Sequence, residues 1–242
     1  MNPMIQFIKQ LSGRLNSNSY TSILSQSDAG QIAYLRQLQR SIKRDDVLDV
    51  PFSELDVVVF DLETTGFYAS KGDRILSIGA IKINGNKIKK DETFYSLIYS
   101  EEGPSTEIEE LTGITKEELL NAPSIENVLI DFYKYIQGNT LVAHHANHER
   151  SFMEHMSWSV LRTHFEHRIV DTMFLTKIIE RKEKLITLDE CCNYFCVENE
   201  QRHHALHDAI ATAKVWTKST EILEKQGLTT LKDVYSYLAS NK

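Results

Sequence analysis

Residues 57–66 read VVVFDLETTG, and this run constrains the fold more than any other stretch of the chain. Val57, Val58, Val59 and Phe60 are β-branched or aromatic without a polar break, the pattern of a central strand buried on both faces. Side chains alternate along a strand, so Asp61 and Glu63 leave on one face and Leu62 on the other. Two neighbouring carboxylates in a partly buried place repel each other; one takes a proton unless a cation sits between them. Oxygen ligands of this kind suit Mg²⁺ or Mn²⁺. Thr64, Thr65 and Gly66 then turn the chain, with Gly66 free to adopt a backbone shape other residues resist. Taken alone, the same acids also fit a solvated strand end.

Far downstream, residues 203–208 read HHALHD. From Ala205 to Leu223 the chain has no Gly or Pro and is rich in Ala, Ile, Thr and Val, which reads as a helix. Asp208 falls in its first turn and His203 at its entrance. Singly, Asp208 is an acid favoured at the positive end of a helix dipole and His203 an ordinary loop residue. No ordinary structural requirement accounts for both ends at once.

The rest of the chain is consistent with one sizeable α/β core plus an extension, since 242 residues can bury such a core. Residues 1–50 read as an N-terminal helical extension and 51–242 as the main domain. Met4, Ile8, Leu11 and Leu15 make one helical stripe; Ile32, Leu35, Leu38 and Ile42 make another. Either covers the core or binds a partner. Asp45 to Phe52 reads as a linker punctuated by Pro51. Strands are expected near 56–62, 74–83 and 92–98 as an antiparallel meander, with Asn84–Gly85 as a hairpin turn. Helices near 105–111, 115–121 and 124–137 lead to a strand at Thr140–Ala143. A helix over 147–161, a short strand at 168–171 and further helices complete the chain.

Cys191, Cys192 and Cys196 are odd in number and clustered, which excludes a disulfide framework and reads as small buried hydrophobes. No apolar run is long enough for a membrane span, and Lys9 is followed by no apolar signal core, so a cytoplasmic protein is expected. The net charge of −7 runs against nucleic-acid binding, which leans on Lys and Arg. Part of that charge belongs to the proposed metal site. Local basic clusters remain at Arg36, Arg40, Lys43 and Arg44, at Lys87, Lys89 and Lys90, and at Arg181, Lys182 and Lys184.

VVVFDLETTG, ILSIGAIKI, LTGIT, LVAHHANHERSFM, IVDTMFLTK, TLDECC and HHALHDAIATAKVW occur in this order. From about Leu55 to about Gln226 the series resembles the DEDDh family of 3′–5′ exonucleases, which includes the epsilon proofreading subunit of DNA polymerase III, RNase T and oligoribonuclease. The resemblance implies an RNase H-like mixed sheet flanked by helices. It matches Asp61 and Glu63 to the first motif, and His203 and Asp208 to the third, H-x-A-x-x-D. Glu149 falls where the second motif has aspartate. That motif departs in other ways: within AHHANHE, His145 replaces an asparagine and His148 a phenylalanine. Glu149 keeps the charge with one extra methylene, a variant site rather than a dead one.

The resemblance further implies two divalent metal ions, Mg or Mn, held by Asp61, Glu63, Glu149 and Asp208, with His203 as general base. On spacing alone His204 and His207 compete with His203, and Asp171 with Glu149; for Asp171 the alternative is capping the next helix. Thr64, Thr65 and Phe67 are expected to contact the terminal nucleotide, with core packing as the other reading of Phe67. Expected partners are single-stranded or frayed 3′ ends of DNA or RNA, and a replication or repair protein through residues 1–50. The rival from another class is a catalytically weak nucleic-acid-binding or polymerase-associated module.

Overall fold

The computed structural model describes residues 47–180 and 185–241. The two helical stripes before residue 47, and the basic residues Arg36, Arg40, Lys43, Arg44, Arg181, Lys182 and Lys184, lie outside these.

Five strands form one mixed sheet in the order β3-β2-β1-β4-β5. Strand β1 (Asp56–Thr64) pairs antiparallel with β2 (Ile75–Asn84), and β2 with β3 (Lys87–Leu97). On its other side β1 pairs parallel with β4 (Thr140–Ala143), which pairs parallel with β5 (Ile169–Asp171). Parallel neighbours need crossovers. Helices α1 (Thr106–Thr112), α2 (Lys116–Leu120) and α3 (Ile125–Ile136) supply the first, and α4 (Asn147–Leu161) the second. Among the described residues, four helices follow β5: α5 (Met173–Ile179), α6 (Leu188–Tyr194), α7 (Ala205–Lys225) and α8 (Leu231–Ser240).

The alternation of β1 divides the core. Val58, Phe60 and Leu62 pack with Leu129 and Phe132 of α3 and Phe152 of α4. Val57 and Val59 pack on the opposite face with Ala213 and Trp216 of α7 and Val234 of α8. Asp61 and Glu63 continue this second face, so they emerge beneath the start of α7.

Several sequence boundaries shift. The third strand begins at Lys87, not near residue 92, and the hairpin turn falls on Gly85–Asn86, not Asn84–Gly85. Lys87, Lys89 and Lys90 therefore belong to an edge strand, where charge is tolerated because, among the described residues, one side pairs with no other strand. Gly85 has φ +56, and an added Cβ would strike the Ser53 carbonyl at 2.1 Å. Residues 47–52 are less of a linker than expected. Asp49 pairs with Lys232 at 2.8 Å, Pro51 bridges Thr230, and Phe52 is buried edge-on against Trp216. Cys191 and Cys192 are buried between α6 and α7 as expected, whereas Cys196 is exposed.

Candidate active site

Three chain segments meet at the end of β1 where Asp61 and Glu63 emerge. The first turn of α4 brings Glu149, which follows directly from the β4 strand and is 3% exposed. The first turn of α7 brings Asp208, also 3% exposed. The turn before α7 brings His203. All five line one cleft of about 570 Å³, together with Thr64, Phe67, His145, His148 and Arg202. Ile108 and Leu111 of α1, and Leu188 of α6, add apolar lining to it.

Crowding of acids dominates the electrostatics. Burial, then Glu63, Glu149 and Asp208, raise Asp61 well above the usual carboxylate range. Burial and Asp208 push Glu63 up to about 7. Burial, with Asp171 and Glu63, pushes Glu149 up to about 8. One oxygen of Glu149, Oε2, is buried without a hydrogen-bond partner. Carboxylate oxygens of Glu63 and Asp208 and a ring nitrogen of His203 lie within 4.8 Å of one another. An all-acid set with an orphaned oxygen fits hard divalent cations, which remove the repulsion without transferring protons.

Asp208 is also a structural anchor. It accepts the Asn199 amide at 2.5 Å, the His203 backbone N–H at 3.1 Å, and the Arg202 guanidinium. Arg202 is itself held by Asp189 of α6 at 2.6 Å. Burial and the neighbouring Arg202 charge lower the pKa of His203, which favours the neutral, proton-accepting imidazole. Sequence reading passed over Arg202, Asn199 and Asp189. The only signal was the arginine beside the histidine, because Asp189 lies thirteen positions upstream and reaches it only through the packing of α6 on α7.

The rival residues take other positions. His204 stacks on Tyr95, and His207 faces His204 and Glu200; neither lines the cleft. Asp171 accepts the backbone N–H groups of His145, Ala146 and Met173 at 3.0–3.3 Å, so it ties β5 to the start of α4 and caps α5. His144 is structural: its Nε2 donates to the Ile186 carbonyl at 2.8 Å, which leaves Nδ1 to accept from Thr172 at 2.7 Å.

The residues after Glu63 divide. Phe67 is 79% exposed, so the core-packing reading fails for it. His148, whose Nε2 lies 3.3 Å from Thr64 Oγ1, meets the Phe67 ring edge-on at 5.9 Å. Thr65 does not line the cleft: its N–H donates to the Arg74 carbonyl and its hydroxyl accepts from the Arg74 N–H, both at 2.9 Å. The contact to a terminal nucleotide expected of Thr65 is thus replaced by bonds that close the turn. Gly66 has no unusual φ; a Cβ there would lie 2.4 Å from the Asp73 carboxylate and would displace that side chain.

Comparison with known proteins agrees with this architecture. The profile of the exonuclease family matches residues 58–216. A DNA polymerase III of PolC type from Caldanaerobacter subterraneus subsp. tengcongensis is 35% identical over 185 residues, 76% of this chain but 13% of the relative. The chain thus spans about an eighth of that polymerase's length. Exonuclease X in complex with 5′ overhanging duplex DNA aligns with a TM-score of 0.57 at 19% identity, covering 74% of this chain and 98% of that one. The nuclease domain of 3′hExo, a DEDDh family member bound to rAMP, aligns at 0.59 and 17%, covering 71% and 92%. At such identities these structures establish the RNase H-like fold. The profile match over residues 58–216 establishes that this chain belongs to the exonuclease family.

Proposed function

We propose that the chain is a metal-dependent 3′–5′ exonuclease. It hydrolyses the last phosphodiester bond at the 3′ end of DNA, with RNA as the alternative substrate, and releases nucleoside 5′-monophosphates. The observation that carries this reading is the convergence of Asp61, Glu63, Glu149, Asp208 and His203 on one cleft. Asp61, Glu63, Glu149 and Asp208 would hold two Mg or Mn ions. Bound there, such ions supply positive charge to the phosphate and lower the pKa of water.

The chain's own groups do the rest. His203 accepts the proton of the attacking water, whose oxygen bonds to phosphorus as the bond to the penultimate 3′ oxygen breaks. Asp208 fixes the backbone of His203 while contributing an oxygen to the acidic cluster. Exposed Phe67, which lines the same cleft as Ile108 and Leu111, suits a stacked terminal base. Thr64, which follows Glu63 in the cleft lining, suits contact with the terminal sugar.

The polymerase relatives support a place beside DNA replication, and a cytoplasmic location is part of the same proposal. Residues 1–50 are our choice for a docking element to such a partner. None of the described helices is long and apolar enough to cross a membrane.

End-labelled DNA and RNA oligonucleotides incubated with Mg²⁺, Mn²⁺ or chelator test the proposal. Stepwise release of mononucleotides from the 3′ end, abolished by chelator, is expected. Binding without release on every strand would instead make the chain a nucleic-acid-binding module.

A further inference from the structure

Asp61, Gly79 and Tyr95 form one cross-strand row: Asp61 is the register partner of Gly79, and Gly79 of Tyr95. Directly paired residues share a sheet face, so all three lie on the face beneath α7. The middle position has no side chain, and the turn entering α7 fills the space. A Cβ on Gly79 would lie 2.1 Å from the Leu206 nitrogen and 2.2 Å from the Ala205 carbonyl carbon. The first peptide of α7 therefore rests directly on the sheet, with an active-site acid on one side and a tyrosine on the other.

The turn that rests there is strained. His203 has φ +59, a left-handed conformation that a non-glycine residue adopts only when its surroundings impose it. The next residue, His204, occupies the helix N-cap yet makes no side-chain cap hydrogen bond. A helix start favours Ser, Thr, Asp or Asn at that place, so capping does not explain the imidazole. Its ring lies instead on Tyr95, centroids 4.5 Å apart and 21° from parallel. His207 closes the far side edge-on at 4.9 Å.

We propose that the Tyr95–His204 stack, seated over Gly79, is a positioning device that sets the backbone of His203 and hence the place of its imidazole in the cleft. Tyr95 does not line the cleft; it acts through His204. The proposal rests on the reading of His203 as the proton acceptor. It extends the reaction machinery to a strand that contributes no residue to the cleft.

The test uses the full chain, a labelled single-stranded oligonucleotide and Mg²⁺. Tyr95→Ala should lower kcat by about 10- to 100-fold, as a displacement of about 1 Å at a reacting group does, with KM unchanged. His204→Ala removes the same stack from the other side and should match it, which keeps the test decisive if Tyr95→Ala folds poorly. Tyr95→Phe and His204→Phe restore a ring pair and should recover most of the loss. In a His203→Ala background, Tyr95→Ala should cost nothing more. Multiplying losses in that double variant, or wild-type kcat in both alanine variants, would overturn the positioning role while leaving His203 in place. Full activity in His203→Ala alone would remove the proton-acceptor reading itself, and the positioning role with it.

Discussion

The backbone N–H of His203 donates to Asp208 Oδ2 at 3.1 Å, so an acid of the third motif holds the histidine of the same motif in place. Asp208 therefore differs from Asp61, which no protein donor neutralises by hydrogen bond among the described contacts. The two should respond oppositely to neutralisation. Asp61→Ala should abolish metal-dependent release while leaving metal-free Tm unchanged or higher, because like-charge repulsion is relieved. Asp208→Ala should abolish release and also cost about 1–3 kcal/mol, because Asn199 and Arg202 lose a buried partner. Urea melts of both variants in chelator check this; equal stability in the two would refute the anchoring role.

Glu63 and Glu149 carry a pH signature. Their folded pKa values, about 7 and about 8, lie above ordinary carboxylate values. Between the ordinary value and the raised one the folded state binds more protons, so metal-free stability should fall as pH rises through this window. Glu149→Gln should flatten part of that slope and impair turnover with little loss of Tm, and saturating Mg²⁺ should flatten it in the wild type. A wild-type slope in Glu149→Gln would move the assignment away from this residue.

His167 predicts the opposite slope. It is 1% exposed, its Nε2 donates to the Gln137 carbonyl at 2.6 Å, and burial pushes its pKa down to about 4. The unfolded chain takes up a proton near pH 6.5 and the folded one only near 4, so this group's contribution is lost as pH falls between them, by about 3 kcal/mol in all. Because the acids act in the reverse sense, the comparison is with His167→Gln, in which the acidic loss should shrink. An unchanged pH profile would show that His167 does not control it.

Asp171 and Glu149 should separate by phenotype. Asp171→Ala strips three backbone N–H groups of their acceptor and should cost about 1–3 kcal/mol. Asp171→Asn should be milder in turnover than Glu149→Gln, and Glu149→Asp should retain partial activity. Steady-state kinetics together with melting curves check these. Wild-type turnover in Glu149→Gln with collapse in Asp171→Asn would put the fourth acid on β5.

Phe67 should matter to substrate and not to folding. Phe67→Ala should raise KM by about 10- to 100-fold if its ring carries a terminal base, since such stacking is worth about 1–3 kcal/mol. Tm should not move, given its exposure. Unchanged KM would leave the apolar lining of the cleft without a role in base binding.

The N-terminal cut should be made before Val47. Removing residues 1–46 should leave hydrolysis intact. Removing residues through Glu54 should destabilise the domain, because Phe52 fills the core against Trp216. Loss of activity in a folded protein lacking only residues 1–46 would assign that extension to the substrate groove.

The run VVVFDLETTG determined a great deal without help. A strand apolar on both faces has to be central, and strict alternation puts Asp61 and Glu63 on one side whatever surrounds them. Thr140–Ala143 and the helices beginning at Asn147 and Ala205 were legible for the same reason, because local periodicity sets them. The start of β3 was not: its lysines read as a basic cluster ahead of a strand expected near residue 92, and only pairing along an edge made them strand. Nor was the fate of the polar groups. Thr65 and Asp171 carry the chemistry of site residues, but their hydrogen bonds are consumed by Arg74 and by three backbone amides, two of them distant in sequence. Arg202 was invisible as a site residue until α6 brought Asp189 against it. Periodicity fixes which face a side chain leaves from; what it meets there depends on loop closure and packing, which no local pattern encodes.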